Sequence, residues 1–302
     1  MAEAGETRCG FVALIGAPNA GKSTLINALV GTKVSIVSHK VQTTRMLVRG
    51  IAIEGRSQLI FVDTPGIFAP RRRLDRAMVT TAWGGAKDAD LTGLLIDARK
   101  GIDEETKVIF ARLADVPGPK FLVLNKIDLV EKQKLLALAQ EANGEATFKA
   151  TFMVSALTGS GVADVKLCLA KEVPAGPWHY PEDQISDAPL RQLAAEITRE
   201  KLFERLHQEL PYQSTVETTS WKELRDGSIR VEQTIFVERE SQRKIVLGKG
   251  VHIIRAIGAE ARRDISEAAD AKVHLFLFVK VREGWGDDPE RYREMGLEFP
   301  KE

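Results

Sequence analysis

Eight consecutive residues near the amino terminus, Gly16-Ala17-Pro18-Asn19-Ala20-Gly21-Lys22-Ser23, place two glycines, a lysine and a hydroxyl in the spacing GxxxxGK[ST]. Glycines let successive backbone N–H groups converge on one point, which suits a phosphate, and a helix opening at Lys22 adds a favourable dipole. Lys22 is placed to reach the β- and γ-phosphates of a nucleotide, Ser23 to hold Mg2+, and Thr24 to follow as a further phosphate contact.

Three more clusters extend this chemistry. Asp63-Thr64-Pro65-Gly66 follows an apolar run, so Asp63 can hold Mg2+ through water while the Gly66 N–H senses the γ-phosphate. The polar stretch Lys33–Arg45 contains Gln42-Thr43-Thr44-Arg45, where a threonine can ligate Mg2+ only while a γ-phosphate is present. Thr44 is the preferred ligand and Thr43 the alternative. Asn125-Lys126-Ile127-Asp128 supplies a carboxylate able to accept both guanine N1–H and the exocyclic amino group. Adenine lacks that donor pair and leaves Asp128 unmatched, which selects GTP over ATP. Lys126 can lay its stem along the ring, and Asn125 can brace the phosphate loop or the base. In Ser155-Ala156-Leu157 a backbone N–H can meet guanine O6. Ile67 stands where Ras-type enzymes use a glutamine to orient water, so slow intrinsic hydrolysis is expected. Asn19 is a candidate for holding a monovalent cation such as K+.

Such residues need a scaffold that brings strand ends together. Phe11–Ile15, Leu59–Val62, Leu91–Ile96, Phe121–Leu124 and Phe152–Val154 are near-continuous apolar runs, the pattern of parallel strands buried on both faces. Helix-period stretches lie between them, among them Lys22–Val30, Glu131–Ala142 and Val162–Glu172. Met46–Glu54 pairs with Gln58–Val62 across Gly55–Arg56 as a hairpin. The alternation predicts an α/β P-loop GTPase domain with a doubly wound, mostly parallel sheet, whose strand ends form the ligand crevice.

Val173–Pro189 holds four prolines and breaks the pattern, giving domains over 1–175 and 190–302 with a linker over 176–189. The second domain begins with an amphipathic helix over Leu190–Leu210. Alternating segments Ser214–Leu224 and Ile229–Glu238 follow, joined at Asp226–Gly227. A helix (Ser241–Leu247), a glycine turn, a helix (Val251–Ala269) and a strand (Val273–Val281) complete the order αββααβ. The turn Gly248-Lys249-Gly250-Val251 resembles the GXXG loop with which KH domains clamp single-stranded nucleic acid, and the order matches the type II KH arrangement, a smaller α+β domain. Valine replaces the last glycine. Arg243, Lys244, Gly248, Lys249, Gly250, Val251, Ile254 and Arg255 are the candidate RNA contacts.

Charge supports this division. Net charge is +1 over 302 residues, yet the segment 243–263 holds six Lys and Arg against Glu260 alone, a local basic stripe suited to phosphates. Cys9 and Cys168 form no disulfide framework, and no window approaches the roughly 20 apolar residues of a membrane span. The expectation is a soluble, cytoplasmic protein.

The combination of Gly16–Ser23, Gln42–Arg45, Asp63–Gly66, Asn125–Asp128 and Ser155–Leu157 with a carboxy-terminal KH domain resembles the Era family of bacterial GTPases over essentially the whole chain. Arg45, Ile67 and Arg255-Ala256-Ile257-Gly258 fit the same family. The resemblance implies GTP hydrolysis to GDP and phosphate, Mg2+ as cofactor, binding near the 3′ end of 16S ribosomal RNA, a role in small ribosomal subunit assembly, and peripheral contact with the inner membrane. Two readings of other classes compete: an RNA-binding assembly scaffold whose nucleotide site is structural, and an ATP-dependent kinase or ATPase. Intact Lys22, Ser23 and Asp63 disfavour the first, and Asp128 disfavours the second.

Overall fold

A computed structural model describes residues 6–38, 40, 43–45, 47–207, 209–285 and 288–300; Gln42 and Met46 lie outside the described residues. The chain forms two compact units. The first takes the described residues up to Ser35, Thr44–Asp187 and those from Met295 onward; the second takes Ile36–Thr43 and Ala188–Glu294.

In the first unit strands and helices alternate: β1 (Arg8–Gly16), α1 (Lys22–Val30), β2 (Val48–Glu54), β3 (Ser57–Asp63), α2 (Arg73–Asp88), β4 (Leu91–Asp97), α3 (Glu104–Leu113), β5 (Lys120–Asn125), α4 (Lys132–Glu145), β6 (Ala150–Val154) and α5 (Val162–Glu172). The sheet order is β2-β3-β1-β4-β5-β6. Only the β2–β3 hairpin is antiparallel. Both faces are covered, which explains the unbroken apolar runs. Val12 and Leu14 of β1 pack with Leu25 and Leu29 of α1 and Leu169 of α5 on one side. Ala13 and Ile15 pack with Trp83 of α2, Ile109 of α3 and Leu138 of α4 on the other. Each fully buried leucine or isoleucine contributes about 1.5–3 kcal/mol, so β1 is fixed from both sides and its carboxyl end becomes a rigid platform.

The proline-rich segment lies along the edge strand β2 of the first unit. Ile51 N–H donates to Ile185 O at 2.9 Å, Ser186 bridges to Gly50, and buried Gln58 ties His179 and Tyr180 through its side chain. The physical reason is that β2 is an edge strand, whose outer N–H and C=O groups need partners. No helix among the described residues is long and apolar enough to cross a membrane.

The second unit contains α6 (Leu190–Arg205), β7 (Ser214–Glu223), β8 (Ile229–Val237), α7 (Glu240–Leu247), α8 (His252–Ala268), β9 (Val273–Val281) and a short α9 (Pro289–Glu294). Strand order is β7-β8-β9, with β7 antiparallel and β9 parallel to β8. Helix α6 stops short of the expected Leu210. It ends at Arg205, where Leu206 turns extended at φ −93° and ψ 152°, and Leu210–Gln213 forms a separate 3-10 turn with a proline in its first turn. Leu202 of α6, Ile257 of α8 and Ile235 of β8 share one core cluster, and Ile197, Ala261 and Val231 share the adjoining one.

Candidate nucleotide site and nucleic-acid loop

The expected phosphate loop leaves the end of β1 and closes on α1. Gly21, at φ 99°, caps that helix, and a side chain there would collide with the Asn125 amide at 2.2 Å. Asn19 is also left-handed, at φ 62°. Lys22 is buried, and its Nζ donates to Gly16 O and Ala17 O, each at 3.1 Å. Burial pushes this ammonium down to about 8, against partial support from Asp63 and Glu105. Thr64 Oγ1 donates to Leu14 O at 2.7 Å, tying the Asp63–Gly66 turn to β1. Gly66 lies so close that a Cβ would come within 2.9 Å of Pro18 Cα.

Three residues expected to serve Mg2+ meet here. Ser23 Oγ donates to Asp63 Oδ2 at 2.7 Å, Thr44 Oγ1 approaches the same oxygen at 3.4 Å, and the two hydroxyls are 3.0 Å apart. Asp63 Oδ1 is buried with no hydrogen-bond partner. Burial raises the Asp63 pKa, and hydrogen bonds from Ser35, Ser23 and Thr44 oppose that rise. Hard oxygen donors around an unmatched buried carboxylate oxygen suit Mg2+, which keeps few protein ligands and completes its shell with water and phosphate. Thr43 is not brought to this point: its Oγ1 donates to Lys40 O at 2.8 Å, and its carbonyl accepts from Arg199.

Sequence reasoning missed Ser35, a buried hydroxyl that also donates to Asp63 Oδ2. Asn27 positions it by accepting from the Val34 and Ser35 N–H groups at 2.9 and 3.0 Å. A lone serine in a polar loop carries no spacing signal. Ile67 is 2% exposed and packs with Ala13 and Ile15, so its side chain lies in the core.

At the base end, Asn125 bonds protein groups on both sides. Its amide donates to Ala20 O at 2.9 Å, while its Oδ1 accepts from Lys126 N–H at 2.8 Å and Ala156 N–H at 3.0 Å. It therefore braces the phosphate loop against the Ser155–Leu157 turn. Removing it strands three polar groups at about 1–3 kcal/mol for each buried one. Asn125→Ala is expected to destabilise the first unit by about 3 kcal/mol, read as a lower urea midpoint with an unchanged slope.

Lys126 adopts φ 68° and donates to Asn19 O and Asp97 Oδ2, each at 2.6 Å. Asp97 is the second residue missed. Burial pushes its carboxyl up, but hydrogen bonds from Arg99 and Lys126 outweigh that and leave it below its ordinary range. The available signal was an acidic residue closing the apolar run of β4, beside Asn125 in register. Asp128 is exposed on the 3-10 turn Ile127–Leu129. Across the crevice Ser155 and Ala156 are buried, whereas Leu157 stands at the rim, 83% exposed.

In the second unit, the Gly248–Val251 turn links α7 and α8. Gly248 has φ 72°, and a Cβ would strike Ile253 Cγ1 at 2.6 Å. Gly250 and Val251 are left-handed too, at 63° and 56°. For a β-branched residue that costs about 1–2 kcal/mol. Val251→Gly regains this and loses about 0.4–1 kcal/mol to unfolded-chain freedom. A small rise in the unfolding midpoint of the full chain is the expected outcome. Lys244, Lys249 and Arg255 are exposed around the turn, and Ile254 is half-buried. Arg243 pairs with Glu240 at 2.9 Å and donates to Val279 O at 3.2 Å.

Comparison with known proteins finds a relative for each of the two domains. Residues 11–126 match the family model described as 50S ribosome-binding GTPase, and residues 209–286 match the KH domain. The chain is 70% identical over 300 residues to GTPase Era of Afipia carboxidovorans, covering 99% of this chain and 97% of that protein. It is 68% identical to GTPase Era of Rhizobium meliloti over 98% of this chain and 94% of that protein. Among solved structures, a variant of Era from Aquifex aeolicus bound to GDP and AlF4 superposes with TM-score 0.91 at 36% identity, covering 96% of this chain and 99% of that one. Era in complex with MgGDPNP and nucleotides 1506–1542 of 16S ribosomal RNA gives 0.90 at 36% identity, with the same coverage.

Proposed function

The chain belongs to the Era family of GTPases, and from that premise we propose that it hydrolyses GTP to GDP and phosphate and uses the nucleotide state to time its grip on 16S ribosomal RNA during small-subunit assembly. The observation that carries this reading is the meeting of Ser23, Thr44 and Asp63 at one carboxylate oxygen, because Thr44 belongs to the loop expected to respond to the γ-phosphate. In this reading Gly16, Ala17, Pro18, Asn19, Ala20, Gly21 and Thr24 enclose the phosphates with their backbone or hydroxyl groups. Lys22 exchanges its two loop carbonyls for phosphate oxygens. Ser23, Thr44 and, through water, Asp63 would hold Mg2+, which would supply charge neutralisation at the phosphates. The N–H of Gly66 meets the γ-phosphate, with Thr64 and Pro65 fixing the turn, and Thr43 positions Thr44 through the backbone.

Asn125 and Lys126 shape the guanine slot, Asp128 accepts its donor edge, and Ser155–Leu157 borders O6. No side chain from position 67 places the attacking water, so turnover is slow and depends on backbone, another side chain, a cation or a partner. K+ near Asn19 is the cation we assign. The place of action is the cytoplasm, with peripheral contact at the inner membrane, to be read by cell fractionation.

The test combines phosphate release with crosslinking to RNA in GTP and GDP states, using the full chain and Lys249→Ala. RNA crosslinks that form with GTP in the wild type and disappear in Lys249→Ala support the reading, and crosslinks that ignore the nucleotide overturn the timing. Equal turnover in K+ and Na+ removes the cation assignment.

A further inference from the structure

Strand β9 is an edge strand whose side chains alternate. Leu275, Leu277 and Val279 pack toward the helices, so Phe276 and Phe278 lie on the opposite side. At 43% and 48% exposure they are the only exposed phenylalanines among the described residues. Their surroundings are polar. The Arg230 guanidinium sits 4.5 Å from the Phe276 ring centroid, its charge shared with Glu232 at 2.8 Å, and exposed Lys280 follows two residues after Phe278.

We propose that this face of β9 is a stacking platform for single-stranded RNA, with Phe276 and Phe278 each taking one nucleobase and Arg230 and Lys280 meeting the adjoining phosphates. The inference rests on the reading that the second unit binds RNA, and it adds a site beyond the Gly248–Val251 loop. Two features carry it. Residues i and i+2 of a strand are about 6.7 Å apart, about twice the separation of stacked bases, so each ring receives its own splayed base. Aromatic platforms on open sheets bind unpaired bases in this way. Arg243 reaches from α7 to the Val279 carbonyl, which puts a cation at the open edge of β9, between the helix-covered side of the sheet and the side that carries Phe278. An apolar protein partner fits less well, because a protein interface wants a contiguous core depleted of charge, and here Arg230 lies over the Phe276 ring and exposed Lys280 shares the face of Phe278.

The test uses the full chain and single-stranded RNA fragments tiled across nucleotides 1506–1542 of 16S ribosomal RNA, in lengths of about 5 and about 12 nucleotides, since a KH loop clamps about four. Wild type is expected to bind the long fragment more tightly than the short one. Phe276→Ala with Phe278→Ala should weaken the long fragment about 100-fold, roughly tenfold per ring, and leave the short fragment and GTP turnover measured without RNA unchanged. Phe276→Tyr with Phe278→Tyr should restore binding. Phe276→Leu with Phe278→Leu, which keeps the apolar area, should not. Retained affinity in the alanine pair or the leucine pair overturns the platform, as does a long fragment that gains nothing in wild type. If wild type binds neither length, the RNA reading of the unit fails together with it.

Discussion

Replacing Asp128 by asparagine is expected to lower affinity for GTP by about three orders of magnitude and to raise that for xanthosine triphosphate by a comparable factor. Guanine presents N1–H and an amino group, both donors, to a carboxylate that carries only acceptors. Xanthine replaces the amino group with a carbonyl, which an asparagine amide can serve and a carboxylate opposes. The effect is large because Asp128 is exposed before the base arrives and becomes enclosed with it, so a mismatch leaves a desolvated polar group without a partner. The scaffold should survive, since the turn is held by main-chain bonds from Leu129 N–H to Lys126 O and Val130 N–H to Ile127 O, at 3.1 and 3.2 Å. Titration with fluorescent GTP and xanthosine analogues reads the ratio directly. An unchanged ratio means that Asp128 does not touch the base.

The fold and the site are legible in the sequence to different depths. Strands buried on both faces announce themselves as apolar runs, and β4, β5 and β6 fall where those runs lie. The phosphate and base motifs are readable because their spacing is dictated by ligand geometry. Ser35 and Asp97 are not, because each acts on another side chain, and partnership between residues 28 or 29 positions apart leaves no periodic trace. The end of α6 escapes the pattern too, since apolar spacing continues through Leu206 and Leu210 although Leu206 is already extended. The stretch after Val173 reads as a linker because its prolines break the strand–helix alternation. In fact they leave an extended chain suited to covering the edge of β2. Val251 shows a third kind of limit: its side-chain type argues for altered phosphate contact, but only the structure reveals the left-handed backbone at that position.

Lys22→Met is expected to reduce GTP turnover by about three orders of magnitude while making the nucleotide-free protein more stable at neutral pH. The first effect follows from removing a buried cation aimed at developing negative charge, a class of loss near ~10²–10³ per donor. The second follows from the cost of keeping that cation without phosphate. With only two carbonyl partners, Lys22 has its folded-state pKa lowered from 10.5 to about 8. The penalty on the charged form is therefore fully present below pH 8 and vanishes as pH rises through 10.5. A drop of that size corresponds to about 3 kcal/mol. Methionine fills a similar volume without charge, so its stability advantage should be greatest at about pH 7 and shrink steadily between pH 8 and 10.5. Urea unfolding of both proteins across that range, without nucleotide, measures it. A variant that is both inactive and less stable at every pH shows that the lysine mainly supports the loop. One that is inactive yet more stable shows that the phosphate loop holds its charge ready for a ligand at the expense of the empty fold.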